Sequence, residues 1–467
     1  MGKKSGSYFD ILAYVLTFLF TLAGILVSLN RFWQYEAFYY DFGVFDSAIW
    51  RVSRFMAPVI EHNVVPGKWI FADHFSPGIF FVSPFYWLTS RSEVILIVQA
   101  IAAGLSGLVL YNIGKKVLKN NFLSLAVLSC YFLFSGLQNA VIFDFHEITV
   151  ATLPLMLTFW AIINKKVKLY FLFLIITLGF KESFFATGIG IGIAIFFLRK
   201  EWRKIAVITI ILSIVWGIAS IKFIIPAFAG HPYAYTPTLS GNIFNLITAM
   251  VNNPLKIRTL FYSFLSFGFL PVLSPTFWPL LLQDYALRFL PEGFNVRWDL
   301  GLQYNAQSAV VLSMGTVYGL LNLMKIKRIT KLIPYVGIIL ILDALFLYRF
   351  VLRGPLALAY NPAFYTHTKD FSFLDKLVEK IPPKATVMTQ NNLAVRFTHQ
   401  KLWILRADYQ TLRPDYILID NRKGQSANDF FATVGDVDAI IKNIKSDPNY
   451  KEIADTKEQF LFKRVGK

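Results

Sequence analysis

Residues 169–198 read LYFLFLIITLGFKESFFATGIGIGIAIFFL, and this stretch decides the fold. Its only charged side chains, Lys181 and Glu182, stand together near the middle, with an apolar half on either side. Basic connections flank it: Lys165, Lys166 and Lys168 before, Arg199, Lys200, Arg203 and Lys204 after. A helical hairpin through a bilayer gives this pattern, its ends on the cytoplasmic face where lysine and arginine accumulate and its apex on the other. A lysine at that apex runs against the trend and calls for a role such as binding a phosphate.

The same rhythm runs along the whole chain. Of 467 residues, 55% are hydrophobic and 16% charged, and the mean hydropathy is +0.52, which excludes an ordinary soluble protein. Apolar runs fall near 10–29, 93–112, 121–141, 148–163, 169–180, 183–198, 205–224, 257–270, 274–283, 307–324 and 332–349. These make about eleven helices of a polytopic α-helical membrane protein, several of them shorter than the ~20 residues that cross the hydrocarbon layer. Lys115, Lys116 and Lys119, together with Lys325, Lys327, Arg328 and Lys331, fill two more inner connections, and Glu201 is the only acid among all four. The net charge of +18 is therefore a signature of topology, not of nucleic-acid binding.

Ile11 to Leu29 carries no charge, follows Lys3 and Lys4, and ends without a small-residue cleavage site. It reads as an uncleaved anchor, placing a multi-pass protein in the cytoplasmic membrane with its N-terminus inside. Cys130 is the single cysteine, so no intramolecular disulfide or cysteine metal cluster can form.

The first outer loop, 30–92, is rich in aromatic residues and contains the apolar segment Pro77 to Leu88, interrupted by Pro84; it reads as re-entrant or interfacial. Pro271 and Pro275 split 257–283 into two short helices meeting near the inner surface. Residues 1–354 thus form the transmembrane domain. Residues 355–467 form a small extracytoplasmic α/β domain, with helices at 371–379 and 429–444 and strands at 386–389, 416–420 and 458–464.

Acids and histidines collect in the outer connections. Asp41 and Asp46 lie in an aromatic stretch after the first span, where a partly dry carboxylate suits a general base or a metal or phosphate-linked site; a helix cap and a solvated loop acid would also account for them. Asp73, His74 and Ser76 open the apolar segment, and Asp73 or Ser76 could equally cap its helix. Asp144, His146 and Glu147 follow the third span with almost no loop, so they are costly unless paired or used, or else form a water-exposed turn. Asp284 and Tyr285, with Tyr304, Asn305 and Gln307, bracket a loop containing Arg288, Glu292, Arg297 and Asp299 that could cover a site or bind a sugar.

Other patterns carry no chemistry. Gly188, Gly190 and Gly192 imitate a nucleotide loop, but no strand precedes them and close helix packing explains them. His231, His367 and His399 read as ordinary surface residues.

Three stretches, DFGVFDSAIW at 41–50, DHFSP at 73–77 and FDFHE at 143–147, resemble a family of prokaryotic membrane proteins, domain of unknown function 2079; Lys181-Glu182 and IPPKATV at 381–387 are similar to it as well. That family resembles the GT-C glycosyltransferases, which take sugars from polyprenyl-phosphate carriers outside the cytoplasmic membrane. The resemblance implies Asp41 as first candidate base and Asp46 as second. It also makes Lys181, His74 and Arg353 candidate phosphate contacts, and Asp73, Asp144, His146, Glu147, Glu182, Asp284 and Tyr285 candidate substrate contacts. The implied partners are a polyprenyl-phosphate-linked sugar and membrane lipid. A divalent cation is a candidate cofactor, and metal dependence, donor sugar and acceptor stay open. The competing reading is a transporter or flippase for a lipid-linked or anionic solute, although no internal repeat supports it. A non-enzymatic scaffold would leave the ionisable clusters unexplained.

The topology has a direct check. In a Cys130→Ser background, a cysteine at position 74 should react with a membrane-impermeant maleimide from the outer side, and labelling only from the cytoplasm would invert the assignment.

Overall fold

In a computed structural model of the protein, which describes residues 4–60, 68–235, 242–291, 295–422 and 437–465, the deciding stretch folds into two helices, Val167–Gly179 and Phe184–Leu198. Lys181 and Glu182 lie in the turn between them. Lys3 and Glu292 fall outside the described residues.

The chain packs as two units, one of residues 1–27, 73–79 and 97–360, the other of 28–72, 80–96 and 361–467. The first is helical. Among the described residues, five helices are long and apolar enough to cross a membrane, Tyr8–Trp33, Glu93–Leu118, Lys200–Ala229, Asn305–Met324 and Ile333–Val351, or six if a bent pair counts as one. That pair, Asn121–Leu133 and Ser135–Ile142, meets at 51° where Phe134 leaves helical geometry. Glu147–Ile163, Val167–Phe180 and Phe184–Leu198 are shorter apolar helices.

Burial separates lining helices from surface helices. Asn305–Met324 is 67% buried over its apolar window, whereas Lys200–Ala229 and Ile333–Val351 are each 28% buried. The last two turn Ile211, Val215 and Phe223, or Ile339, Leu342 and Phe346, outward, as lipid-facing helices do.

Small residues let the helices approach. A Cβ on Gly188 would meet the Ser213 hydroxyl, and one on Gly192 would lie 2.9 Å from the Ala206 carbonyl, so these two glycines pack against Arg203–Ile218, while Gly190 packs against Leu280. The proline-split region forms Pro254–Leu265, two 3-10 turns and Trp278–Phe289. This last helix runs beyond the expected end at 283. Asp284 therefore projects from a helix and is buried instead of opening a loop.

In the second unit, five strands, β1 (Val387–Thr389), β2 (Leu402–Ile404), β3 (Tyr416–Asp420), β4 (Tyr450–Asp455) and β5 (Gln459–Arg464), make a mixed sheet in the order β2-β1-β3-β5-β4. β1 is parallel to β2 and β3, and β5 is antiparallel to β3 and β4. Ile440, Ile441 and Ile444 of the amphipathic helix Val437–Ser446 pack with Ile417, Ile419, Phe460 and Phe462. The part of the expected 429–444 helix before residue 437 lies outside the described residues. β2 and β4 were not anticipated.

The closest approach of a glycine to a backbone atom is a test of this packing. A Cβ on Gly319 would fall 2.1 Å from the Leu270 backbone carbonyl, whereas one on Gly301 would meet nothing within 4 Å. Gly319→Ala should cost about 1–3 kcal/mol through overpacking. Thermal unfolding in detergent should show a lowered Tm for Gly319→Ala and none for Gly301→Ala.

Candidate functional site

The apex of the hairpin becomes a site because another backbone segment rests on it. Gly78 lies so close to Gly179 and Phe180 that a Cβ there would come within 2.9 Å of their backbone atoms. Only a glycine admits this approach, and it carries 73–77 to the Lys181-Glu182 turn. His74 Nδ1 then lies 2.9 Å from Glu182 Oε1, and the Phe75 backbone N–H donates to Oε2 at 3.2 Å. A carboxylate can only accept from this imidazole, so Nδ1 carries the proton.

Two tyrosines close over the pair. The Tyr233 hydroxyl donates to Glu182 at 2.6 Å, and the Tyr235 hydroxyl donates to Asp73 at 3.0 Å. The Tyr235 ring stacks on His74 with centroids 4.9 Å apart, and the Arg297 guanidinium lies over Tyr235 and Tyr304. Burial and the neighbouring carboxylates raise both phenols above the ordinary tyrosine range, so they remain donors.

On the other side, Lys181 donates to Glu147 at 2.6 Å. Glu147 and Glu182 are fully buried, and the Lys181 side chain is 15% exposed. Burial opposes a charge on Lys181, but the two carboxylates outweigh it and hold the ammonium above the usual lysine range. Burial likewise opposes ionisation of Glu182, yet His74, Lys181 and the Tyr233 hydroxyl bring its pKa down to about 2. Glu147 Oε2 has no hydrogen-bond partner among the described residues.

The cluster at 143–147 divides its work. Asp144 takes a left-handed conformation, φ +43°, that turns the chain from Ser135–Ile142 into the next helix. Buried Gln99 clamps this turn, donating to the Val141 and Asp144 carbonyls and accepting from the His146 N–H at 2.7 Å. Only Glu147 of the three reaches Lys181.

A third wall comes from Trp278–Phe289. The Ser308 hydroxyl donates to the buried Asp284 carboxylate, and Arg288 donates to Ser308 and to the Arg297 and Asp299 carbonyls at 2.9–3.1 Å. With its nitrogens engaged, Arg288 fixes the turn Asn295–Trp298 and so aims Arg297. Buried Tyr285 packs on Phe264 and Phe289.

Between these walls lies a cavity of about 220 Å³, with His74, Lys181, Glu182, Asp284, Arg288 and Arg297 as its charged or titratable lining and Tyr233, Tyr235, Tyr304 and Phe185 as its aromatic lining. Arg353 is exposed at φ +48° after the last apolar helix and is not part of this wall. Among the described residues no three His, Cys, Asp or Glu side chains are placed to hold a metal ion. The carboxylates Glu147, Glu182, Asp73 and Asp284 accept from lysine, imidazole and hydroxyl donors.

In the second unit, Asp41 is half-buried in the π-helical turn Tyr39–Gly43. Asp46 is fully buried, accepts from the Tyr86 and Thr398 hydroxyls, and lies 3.1 Å from His399 Nε2. His399 stacks on Trp50 at 4.7 Å, which corrects its reading as an ordinary surface residue. Burial raises the proton affinity of Asp46, but His399 and the two hydroxyls outweigh that and hold it below the usual carboxylate range.

The chain belongs to the family described as "Predicted membrane protein (DUF2079)", whose sequence profile matches residues 31–443. No curated protein matches it. Among solved structures it is similar to ArnT from Cupriavidus metallidurans bound to undecaprenyl phosphate, with 9% identity and a TM-score of 0.53 over 99% of this chain and 98% of that one. The apo state of the same ArnT aligns with 10% identity and a TM-score of 0.43, covering 89% of this chain and 95% of that one. The fold is therefore an ArnT-like GT-C fold with a small C-terminal sheet domain.

Glu182 gives the site a pH signature. Its depressed pKa of about 2, against an ordinary 4.5, contributes on the order of 3 kcal/mol that is complete above the ordinary value and lost as pH falls towards the folded one. Wild-type unfolding free energy should drop between about pH 5 and about pH 2.5, and Glu182→Gln should lack this component in denaturant titrations. Parallel profiles for the two proteins would contradict the assignment.

Proposed function

We propose that this member of the DUF2079 family is a membrane glycosyltransferase that moves a sugar from a polyprenyl-phosphate donor to an acceptor on the outer face of the cytoplasmic membrane. The observation that carries this reading is the cavity. It presents Lys181 and Arg297 as cations for a phosphate, tyrosine rings as platforms for a sugar, and carboxylates for hydroxyl groups, within a GT-C-like fold. The bound carrier phosphate of the structurally similar ArnT supports the same ligand class.

In the reaction, the bond from the anomeric carbon to the phosphate oxygen breaks and a bond from that carbon to the acceptor heteroatom forms. The acceptor proton passes to a carboxylate, and polyprenyl phosphate leaves with the bonding electron pair. Asp41 is the proposed base, because Asp46 already accepts from two hydroxyls and is held ionised beside His399. Lys181 and Arg297 offset charge developing on the leaving phosphate. His74 orients Glu182, and Asp73 orients Tyr235.

Purified protein in nanodiscs, given a panel of polyprenyl-phosphate sugars and acceptors, should release polyprenyl phosphate. Asp41→Asn should lower kcat by about 10²- to 10⁴-fold. Arg297→Gln should raise KM by about 10- to 100-fold, as loss of a charge-assisted bond predicts. Absence of turnover across the panel, with folding intact and a solute carried across vesicles instead, would replace the enzyme by a transporter.

A further inference from the structure

The second unit carries an apolar surface that the proposed reaction does not use. Pro77–Trp87 is a long 3-10 stretch, and with three residues per turn it has three faces. Ser83 and Tyr86 lie on the buried face, where the Tyr86 hydroxyl reaches Asp46. Phe81, Pro84 and Trp87 share a second face and are all exposed, and Phe85 and Leu88 follow on the third. Leu88 is 82% exposed and Trp87 59% exposed.

A second segment joins this surface. Helix Val44–Ser53 ends in a turn at Arg54, and Phe55 takes φ +59°, a left-handed conformation uncommon for a bulky residue, which leaves its side chain 90% exposed. The Phe55 ring lies 6.4 Å from that of Trp87, whose indole N–H donates to the Ser53 carbonyl at 2.8 Å. The aromatic residues are thus held outward by backbone geometry and hydrogen bonding. An apolar surface so fixed marks an interaction site.

Charge and chain continuity choose the partner. Residues 51–58 and 80–91 contain Arg51, Arg54 and Arg91 and no acid at all. On the topology read from the loop charges, these arginines lie on the outer side, against the positive-inside trend, as Lys181 does. Leu88 is five residues before the apolar helix that begins at Glu93, so it lies within about 18 Å of a membrane-spanning segment by chain length alone. Tryptophan and phenylalanine beside arginine are the composition of a headgroup-level belt.

We infer that Phe55, Met56, Phe81, Phe85, Trp87 and Leu88, with Arg54 and Arg91, form an interfacial shelf that inserts into the outer leaflet and recruits anionic lipid headgroups. The aromatic residues occupy the acyl boundary. The arginines meet phosphate above it. Asp46, through Tyr86, holds the buried face of the shelf in place.

The test uses the full chain with Cys130→Ser and single nitroxide-labelled cysteines at 55, 88 and, as an exposed control, 442, in nanodiscs of phosphatidylcholine alone or with phosphatidylglycerol. Labels at 55 and 88 should be relaxed by oxygen dissolved in the bilayer and shielded from an aqueous nickel chelate, and the label at 442 should show the reverse. Phosphatidylglycerol retained after detergent extraction should fall by about 5-fold for each of Arg54→Gln and Arg91→Gln, the effect of one basic residue at an anionic surface. Aqueous accessibility at 55 and 88 equal to that at 442 would overturn the inference, as would shielding that appears only when a second protein is added. Either outcome is independent of whether sugar transfer is detected.

Discussion

A lysine ammonium that leaves water must find carboxylates, and at the apex of the 169–198 hairpin Lys181 finds two. Desolvating an ion costs several kcal/mol even after relaxation, and the cost is recovered only by close, well-oriented partners. Glu147 supplies one at 2.6 Å, and Glu182 supplies the neighbouring charge. That requirement ties the start of Glu147–Ile163 to the hairpin. It leaves the remaining oxygens of Glu182 to gather His74, the Phe75 N–H and Tyr233. The site is thus organised from the buried charge outward.

The opposite wall obeys the same rule at a different place. Asp284 is buried beside Arg288, and Ser308 bonds to both. Because Arg288 spends its other donors on the Arg297 and Asp299 carbonyls, it serves the loop and is not available to a ligand. Arg297, stacked between tyrosine rings, is the cation this wall presents to the cavity. A buried ion pair holds Lys181 directly, and the serine-bridged Asp284 and Arg288 hold Arg297 through a turn.

Much of the architecture was legible because its signals are local. Charge-free apolar runs interrupted by basic connections marked the helices, and the glycine series at 188–192 proved to be a packing face. Apolar Tyr416–Asp420 and Gln459–Arg464 announced strands. Leu402–Ile404 is only three residues long, and Tyr450–Asp455 is an edge strand that carries Lys451, Glu452 and Asp455, so neither has a clear apolar run. Tyr233, Tyr235 and Gln99 were missed for another reason. Their roles come from partners 42 to 162 positions away, and no spacing rule connects a tyrosine after Gly230 to an aspartate before His74.

Asp41 and Asp46 show where sequence reading reaches its limit. Five residues apart in one aromatic segment, they present the same chemistry, and the resemblance to GT-C enzymes ranks them only by position. Their surroundings differ. For Asp46 to take a proton it would have to give up acceptor contacts with Tyr86 and Thr398 and separate its charge from His399, and each of these holds its proton affinity down. A carboxylate so stabilised is a poor base but a good anchor, because every group bound to it is fixed in place. The π-helical turn Tyr39–Gly43 places half-buried Asp41 immediately before the anchored helix. Asp46 thus fixes the segment that carries Asp41, the base proposed for the transfer.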